Sequence, residues 1–187
     1  PLSGGIEKIS YDIGIPLAAA PEVQQMHFGM EYLGIRISDT IWAMFDPTGQ
    51  LIREPVDMIL DLSAGVRLDR DLIDPNLEQI IEEDPMQLGS IESFSLNELL
   101  ISALGAVAKG SGDFTFDMND LATFDGLPRP EGEASLVVSG LNTVFDQLIE
   151  AGLLQPDQLM PIRMGLGMGF IATGEDELTS ELEVRSN

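Results

Sequence analysis

The sequence contains no cysteine, a single histidine and few basic residues. Without cysteine the chain cannot form disulfides, thiolate nucleophiles or cysteine-based metal sites. Its nine basic residues stand against 32 acidic ones, which gives a net charge of −23. Because the basic residues are scattered along the chain, no local patch offsets this charge. Nucleic acid and anionic membrane faces are therefore disfavoured as direct partners.

Long apolar runs are also missing, since no stretch reaches the roughly 18 residues that a membrane-spanning helix needs. Hydrophobic residues nevertheless make up 44% of the 187 residues, which is enough to fold around a sizeable core. We therefore expect a single domain over 1–187. It can be divided into halves 1–69 and 105–187, which would share one sheet and be joined by the acidic segment 70–90.

Alternating apolar and polar residues are the strongest signal in the N-terminal half. From Val56 to Leu68 every even-numbered residue is apolar. This period of two predicts a strand with one buried and one solvated face, as in an antiparallel sheet. Similar alternation predicts strands over Ile9–Leu17 and Val23–Ile37. In the second of these the apolar parity changes near Leu33–Gly34, which predicts a β-bulge.

The C-terminal half reads as a strand, a helix and a returning strand. Strand Ala134–Ser139 leads into a helix over Leu141–Ala151, whose apolar residues recur at i, i+3, i+4, i+7 and i+8. Alternation over Leu178–Val184 predicts the last strand. Between them, Pro156–Ile171 is rich in methionine and glycine, and its pattern is compatible with a helix over Pro161–Ile171 or with a strand.

Capping and turn residues define the remaining elements. They are a short helix from the N-cap Ser38 through Phe45, a strand over Ser90–Ile101, its hairpin partner Ala106–Phe116, and a loop over Asp117–Gly132. In the strand Ser90–Ile101 the apolar parity changes near Asn97, which predicts a second irregularity in strand pairing.

The order strand, strand, helix, strand occurs twice, in 6–68 and in 106–184, so a duplicated ββαβ unit is one interpretation of the chain. The elements together predict an α+β fold. We expect a long, twisted, mostly antiparallel sheet with the helices packed on its apolar face.

Three patterns that resemble chemical sites fail on their spacing. His27 is the only histidine and has no carboxylate at a ligand spacing, so a solvated strand residue is the simpler interpretation. The glycines of 165–169 lack a preceding strand, a lysine and the G-x-G-x-x-G pattern of a phosphate loop. The acids of Asp113–Asp120 do not follow the calcium-loop pattern. The sequence therefore predicts no catalytic residues, no metal ligands and no cofactor.

Met160, Met164 and Met168 recur at four-residue intervals in Pro156–Ile171. They give this segment an adaptable apolar surface, because thioether side chains are flexible. Ordinary core packing is the alternative interpretation of these residues. If the protein holds an apolar ligand, the ligand should lie between the sheet and the two helices. The side chains expected to contact it are Phe145, Leu148, Met164, Leu166, Met168 and Phe170.

Four segments resemble a family of proteobacterial proteins, domain of unknown function 2125. They are Trp42 followed by Asp46-Pro47 and Pro55, then Gly110–Asp117, Gly152–Gln158 and Asp176–Ser180. The resemblance implies a periplasm-facing protein that is anchored in the inner membrane through an N-terminal segment, which this sequence does not contain. It brings no catalytic residues.

Two functions are compatible with these observations. The first is a non-catalytic envelope protein that cradles a lipid or another apolar ligand between its sheet and its helices. The second is a structural or interaction scaffold of the envelope that has a fully packed core and binds a protein partner. A filled core would favour the scaffold, whereas an open groove would favour the ligand-binding protein.

Overall fold

The computed structural model describes residues 4–124 and 127–185 and shows a mostly antiparallel sheet with four helices. The strands are β1 (Gly4–Gly5), β2 (Lys8–Gly14), β3 (Gln24–Ile37), β4 (Val56–Leu68), β5 (Gly89–Ala103), β6 (Ala106–Asp117), β7 (Arg129–Ser139), β8 (Ile171–Gly174) and β9 (Glu177–Val184). The helices are α1 (Asp39–Phe45), α2 (Leu77–Glu83), α3 (Leu141–Glu150) and α4 (Pro156–Gly169), and a 3-10 turn spans Pro85–Leu88.

The strand order is β1-β3-β4-β5-β6-β7-β9-β8, with β2 also paired to β3. Every pairing is antiparallel, and β5 joins the two halves of the chain by pairing with β4 on one side and β6 on the other. Helix α1 connects β3 to β4, and α3 and α4 connect β7 to the last strands. Because neighbouring strands run in opposite directions, these three helices lie at the same end of the sheet, and α2 lies at the other.

Local sequence signals predict several details correctly. Strand β4 begins and ends as the alternation predicts. The bulge in β3 lies between Tyr32 and Ile35, where Gly34 adopts a φ of 66° that favours glycine. The irregularity near Asn97 is a register shift in β5. Ser38 caps α1, since its Oγ accepts a hydrogen bond from the backbone N–H of Ile41 at 3.4 Å.

Two segments differ from the predictions. Arg129–Gly132 belongs to β7 and not to a loop, because Pro130 lies where β7 pairs with β6 alone. An edge strand tolerates the missing N–H of proline. Helix α4 covers Pro156–Gly169, continues through Pro161, and is followed by β8, a strand that the sequence pattern did not indicate.

The sheet is open, and few side chains are therefore buried. The accessible surface is 12148 Å², whereas a compact monomer of this mass has roughly 8,800 Å². Among the described residues, the buried hydrophobic side chains are Val66, Leu68 and Phe145. Val66 and Leu68 lie at the end of β4, where the backbone N–H of Ala20 donates to the carbonyl of Leu68 at 3.2 Å. Packing of the helices on the apolar face, the finer part of the predicted fold, is not confirmed.

Candidate functional site

One face of the sheet is apolar across seven neighbouring strands. Side chains that are directly paired across an antiparallel ladder project from the same face, so the register identifies its members. Two rows cross the sheet from β2 to β9. They are Tyr11, Met30, Leu60, Leu99, Gly110, Leu136 and Ser180, and beside them Ile13, Phe28, Leu62, Leu96, Gly112, Ala134 and Leu182.

This apolar face is only partly shielded from solvent. Ile13 is 60% exposed at one side of the sheet and Leu182 is 56% exposed at the other. The central residues of β4 are half-buried by their neighbours in the sheet. The described residues form no layer over this face, and an apolar surface that extends over so many strands is characteristic of a site that binds another molecule.

A groove crosses the apolar face from β5 to β9 and passes over β6, which carries small residues there. Its volume is about 190 Å³, and its walls include Leu96, Leu99, Leu136 and Leu182. Gly110 lies in its lining, where a Cβ would contact a terminal carbon of Leu99 and one of Leu136, each at 3.4 Å. A volume below the roughly 300 Å³ of an enclosed drug-sized pocket fits a narrow chain that lies along an open surface.

The six residues predicted to contact an apolar ligand do not come together over this groove. On α3, Phe145 is buried and Leu148 is half-buried. On α4, Leu166 is half-buried and Phe170, which ends the helix, is also half-buried, but Met164 and Met168 are 69% and 91% exposed. The helical spacing explains this division, because it places the methionines on the side of α4 opposite Leu166.

Helix α3 is attached to the end of the sheet by a buried glutamine. The Oε1 atom of Gln147 accepts a hydrogen bond from the backbone N–H of Ile52 at 2.7 Å, and its Nε2 atom donates to the carbonyl of Leu104 at 3.5 Å. Leu104 lies in the β5–β6 turn. This contact fixes α3 beside the groove strand β6 rather than over the apolar face.

The N-terminus of α3 is capped from a distant part of the chain. Its N-cap residue, Gly140, has no side chain, and the carboxylate of Asp176 instead accepts hydrogen bonds from the backbone N–H groups of Asn142 and Thr143, at 2.9 and 3.3 Å. Desolvation raises the pKa of Asp176, but these hydrogen bonds outweigh it and hold the pKa below its usual value. Asp176 therefore links the β8–β9 turn to α3.

The opposite face of the sheet is polar and acidic. A hollow of about 580 Å³ lies on it between β5 and β9, with Asp113, Glu131, Glu133 and Glu183 in its lining. Arg129 lies near these acids, and its guanidinium contacts Glu131 at 2.7 Å. The two faces thus differ sharply in charge, since the described strand residues that form the two apolar rows include no acid.

His27 and the acids of Asp113–Asp120, which the sequence singles out, do not line the groove. On the polar face, the Nε2 atom of His27 lies 3.8 Å from the Oδ2 atom of Asp12, and its Nδ1 atom lies 3.6 Å from the Oδ1 atom of Asp61. Asp120, in the calcium-like segment, is engaged by Thr123 and Arg129. Hydrogen bonds from the side chain and backbone of Thr123 lower its pKa. No group of three or more histidine, aspartate or glutamate side chains with metal-site geometry occurs in 4–124 and 127–185, setting aside the side chains of 83, 85 and 86.

Comparisons with known proteins found no matching family model, no similar curated protein and no similar solved structure. The resemblance to the proteobacterial family therefore stays a prediction. Within the described residues no helix is long and apolar enough to cross a membrane.

Sequence reasoning missed the groove because its walls come from strands far apart in the chain. One local signal was available: Ala106, Ala108, Gly110 and Gly112 occupy alternate positions of β6. Small residues on one parity of a strand leave a channel between the larger side chains of its neighbours. Without the register, however, the sequence does not show that Leu96 and Leu182 flank that channel.

Proposed function

We propose that this protein binds the acyl chain of a lipid, or another elongated apolar molecule, along the apolar face of its sheet. The observation that carries the proposal is the uncovered apolar face with its groove over β6. In line with the resemblance described above, we propose that the protein has a non-catalytic role on the periplasmic side of the inner membrane and is anchored in that membrane.

Hydrocarbon fits this surface for two physical reasons. The backbone groups of the central strands are already paired within the sheet, so a ligand there needs no hydrogen bonds. Each methylene group removed from water contributes about 0.8 kcal/mol. An acyl chain along the groove contacts Leu99, Leu136 and Leu182 without burying a charge.

Two finer features of the predicted fold belong to this proposal. We propose that α3 and α4 border the ligand at the end of the sheet. We also propose that the chain arose by duplication of a ββαβ unit. The strand order supports it, since β2-β3-β4 around α1 matches β6-β7-β9 around α3.

A scaffold function is the second candidate, with a protein partner of the envelope covering the apolar face. The breadth of that face favours it, because the face continues from β2 to β9 and exceeds what one acyl chain covers. A protein surface would bury the whole face, whereas a lipid would use the groove alone.

Binding of a fluorescent fatty acid to the purified chain tests the proposal. We expect saturable binding that Leu182→Gln weakens about tenfold or more, because an amide left without a partner costs about 1–3 kcal/mol. Leu182 is 56% exposed, so this change should leave folding intact. Leu127→Gln is the matched control, since Leu127 is 67% exposed in a loop away from the groove.

Equal affinity of the two variants would rule out the groove as the binding site. Absence of binding to the parent chain would leave the scaffold as the better proposal.

A further inference from the structure

Helix α4 carries large apolar side chains on two opposite sides, and its charged residues are Asp157 in the first turn and Arg163. Leu159, Ile162 and Leu166 lie on one side, and Met160, Met164 and Met168 lie on the other. Large apolar side chains on both sides of a helix are normally buried in a protein interior or a membrane. The methionine side of α4 is instead exposed, since Met160 is 71% and Met168 is 91% exposed.

The charge distribution sets α4 apart from the rest of the molecule. In a chain with 32 acidic residues, 158–174 is the longest stretch that contains none, and Arg163 is its single basic residue. The guanidinium of Arg163 donates a hydrogen bond to the side chain of Asn142 at 2.9 Å. Acids resume immediately on both sides, at Asp157 and at Glu175. The molecule thus presents one acid-free apolar segment in a strongly anionic surface.

The length of α4 decides between crossing a bilayer and lying on it. Its 14 residues span about 21 Å, whereas the hydrocarbon layer is about 30 Å thick. A helix of this length can lie in the boundary between headgroups and acyl chains. Exposed apolar residues continue the surface at both ends, with Leu153 54% and Ile171 75% exposed.

We propose that α4 docks the protein on the surface of a zwitterionic bilayer, with its methionine side inserted among the acyl chains. Flexible thioether side chains adapt to a fluid hydrocarbon layer without a matching surface. Asp157 and Glu175 limit the depth of insertion, because carboxylates stay with the headgroups. The net charge of −23 excludes anionic lipid and opposes a second copy as the occupant. This docking surface is separate from the groove on the sheet.

Tryptophan fluorescence locates the docking surface. The single native tryptophan is replaced by Trp42→Phe, and a new one is placed by Met164→Trp or, as control, by Met44→Trp on α1, where the native side chain is 76% exposed. With phosphatidylcholine vesicles we expect a blue shift, and quenching by brominated acyl chains, for the first probe alone. Equal quenching of both probes, or of neither, would overturn the proposal.

Flotation of the full chain with vesicles gives the second readout. Met160→Glu and Met168→Glu should each reduce the bound fraction about tenfold, because a carboxylate resists insertion, and Met44→Glu should not. Anionic lipid in the vesicles should weaken flotation of the parent. Unchanged flotation of both α4 variants would overturn the proposal. So would a dimer in solution that either variant dissociates, since α4 would then bind a second copy.

These experiments test the two proposals independently. Leu182→Gln should lower fatty-acid binding and leave flotation unchanged, whereas Met168→Glu should do the reverse. Both side chains are more than half exposed, and circular dichroism verifies that the variants fold. A parent chain that binds fatty acid but does not float would refute the docking and leave the groove intact.

Discussion

Helices α3 and α4 follow one another in the chain, yet each is related to the sheet in a different way. Helix α3 is amphipathic and buries Phe145. Near its two ends it is held by hydrogen bonds that Gln147 and the carboxylate of Asp176 accept from backbone N–H groups. Helix α4 carries apolar side chains on opposite sides and has no buried residue. The difference shows that hydrophobicity alone does not bring a helix onto a sheet. Polar contacts at defined positions attach α3, and α4 has far fewer of them.

The largest expected effect separates the two helices directly. Phe145→Ala should lower the free energy of unfolding by about 3 kcal/mol, because it removes a buried aromatic ring and leaves a cavity. Met168→Ala should change it by less than about 0.5 kcal/mol, as expected for a surface site. Urea denaturation of both variants measures the difference.

Phe45→Ala is the matched control for the ring itself, since Phe45 is 60% exposed on α1. We expect it to cost less than half as much as Phe145→Ala. If Met168→Ala proved as costly as Phe145→Ala, α4 would be packed against another part of the chain and the contrast between the helices would disappear.

The next effect tests the polar contact that attaches α3. Gln147→Leu leaves the N–H of Ile52 without its acceptor, and an unsatisfied buried group costs about 1–3 kcal/mol. Hydrogen exchange of the Ile52 amide should accelerate in parallel. Gln87→Leu, at an exposed glutamine of the 3-10 turn, serves as control and should change neither quantity.

If Gln147→Leu changed stability without changing exchange at Ile52, the glutamine would act through packing of α3 and not through this hydrogen bond.

The features of the fold that the sequence predicts correctly are those that residues close together in the chain determine. The period-two pattern of Val56–Leu68 identifies β4 and its two faces, and Gly34 marks the bulge of β3. Strand pairing is non-local, so the strand character of Arg129–Gly132 becomes visible only when β6 lies beside it. The sequence supplied the apolar face but not its openness, because no local pattern states whether a covering layer exists.

The candidate site shows the same limit. Four of the six residues predicted to contact a ligand are at least half-buried in the region of α3 and α4, but the groove lies over β6, between Leu99 and Leu136. The carboxylate that caps α3 belongs to Asp176, which lies 34 and 33 positions beyond the capped residues Asn142 and Thr143. Contacts of this range follow from the fold and leave no spacing that a sequence pattern could reveal.

The smallest effect tests that distant cap through its charge. Asp176→Asn keeps an oxygen acceptor but removes the negative charge at the N-terminus of α3, which is expected to cost roughly 0.3–1 kcal/mol at neutral pH. Glu175→Gln, at the exposed neighbouring acid, is the control and should cost less. The free energies of unfolding of the parent and of both variants are compared across a range of pH.

The pH dependence has a definite sign. Because the pKa of Asp176 is lowered in the folded protein, the unfolded chain binds this proton more readily. The contribution of the carboxylate to stability is therefore complete above its unfolded-state pKa of about 3.9 and is lost as the pH falls through the lower, folded-state value. The difference between parent and Asp176→Asn should stay constant from about pH 7 to about pH 5 and then shrink with further acidification. If the stability difference between the parent and Asp176→Asn grew on acidification, folding would destabilise the ionised carboxylate of Asp176. The hydrogen bonds of this cap would then not be what joins the β8–β9 turn to α3.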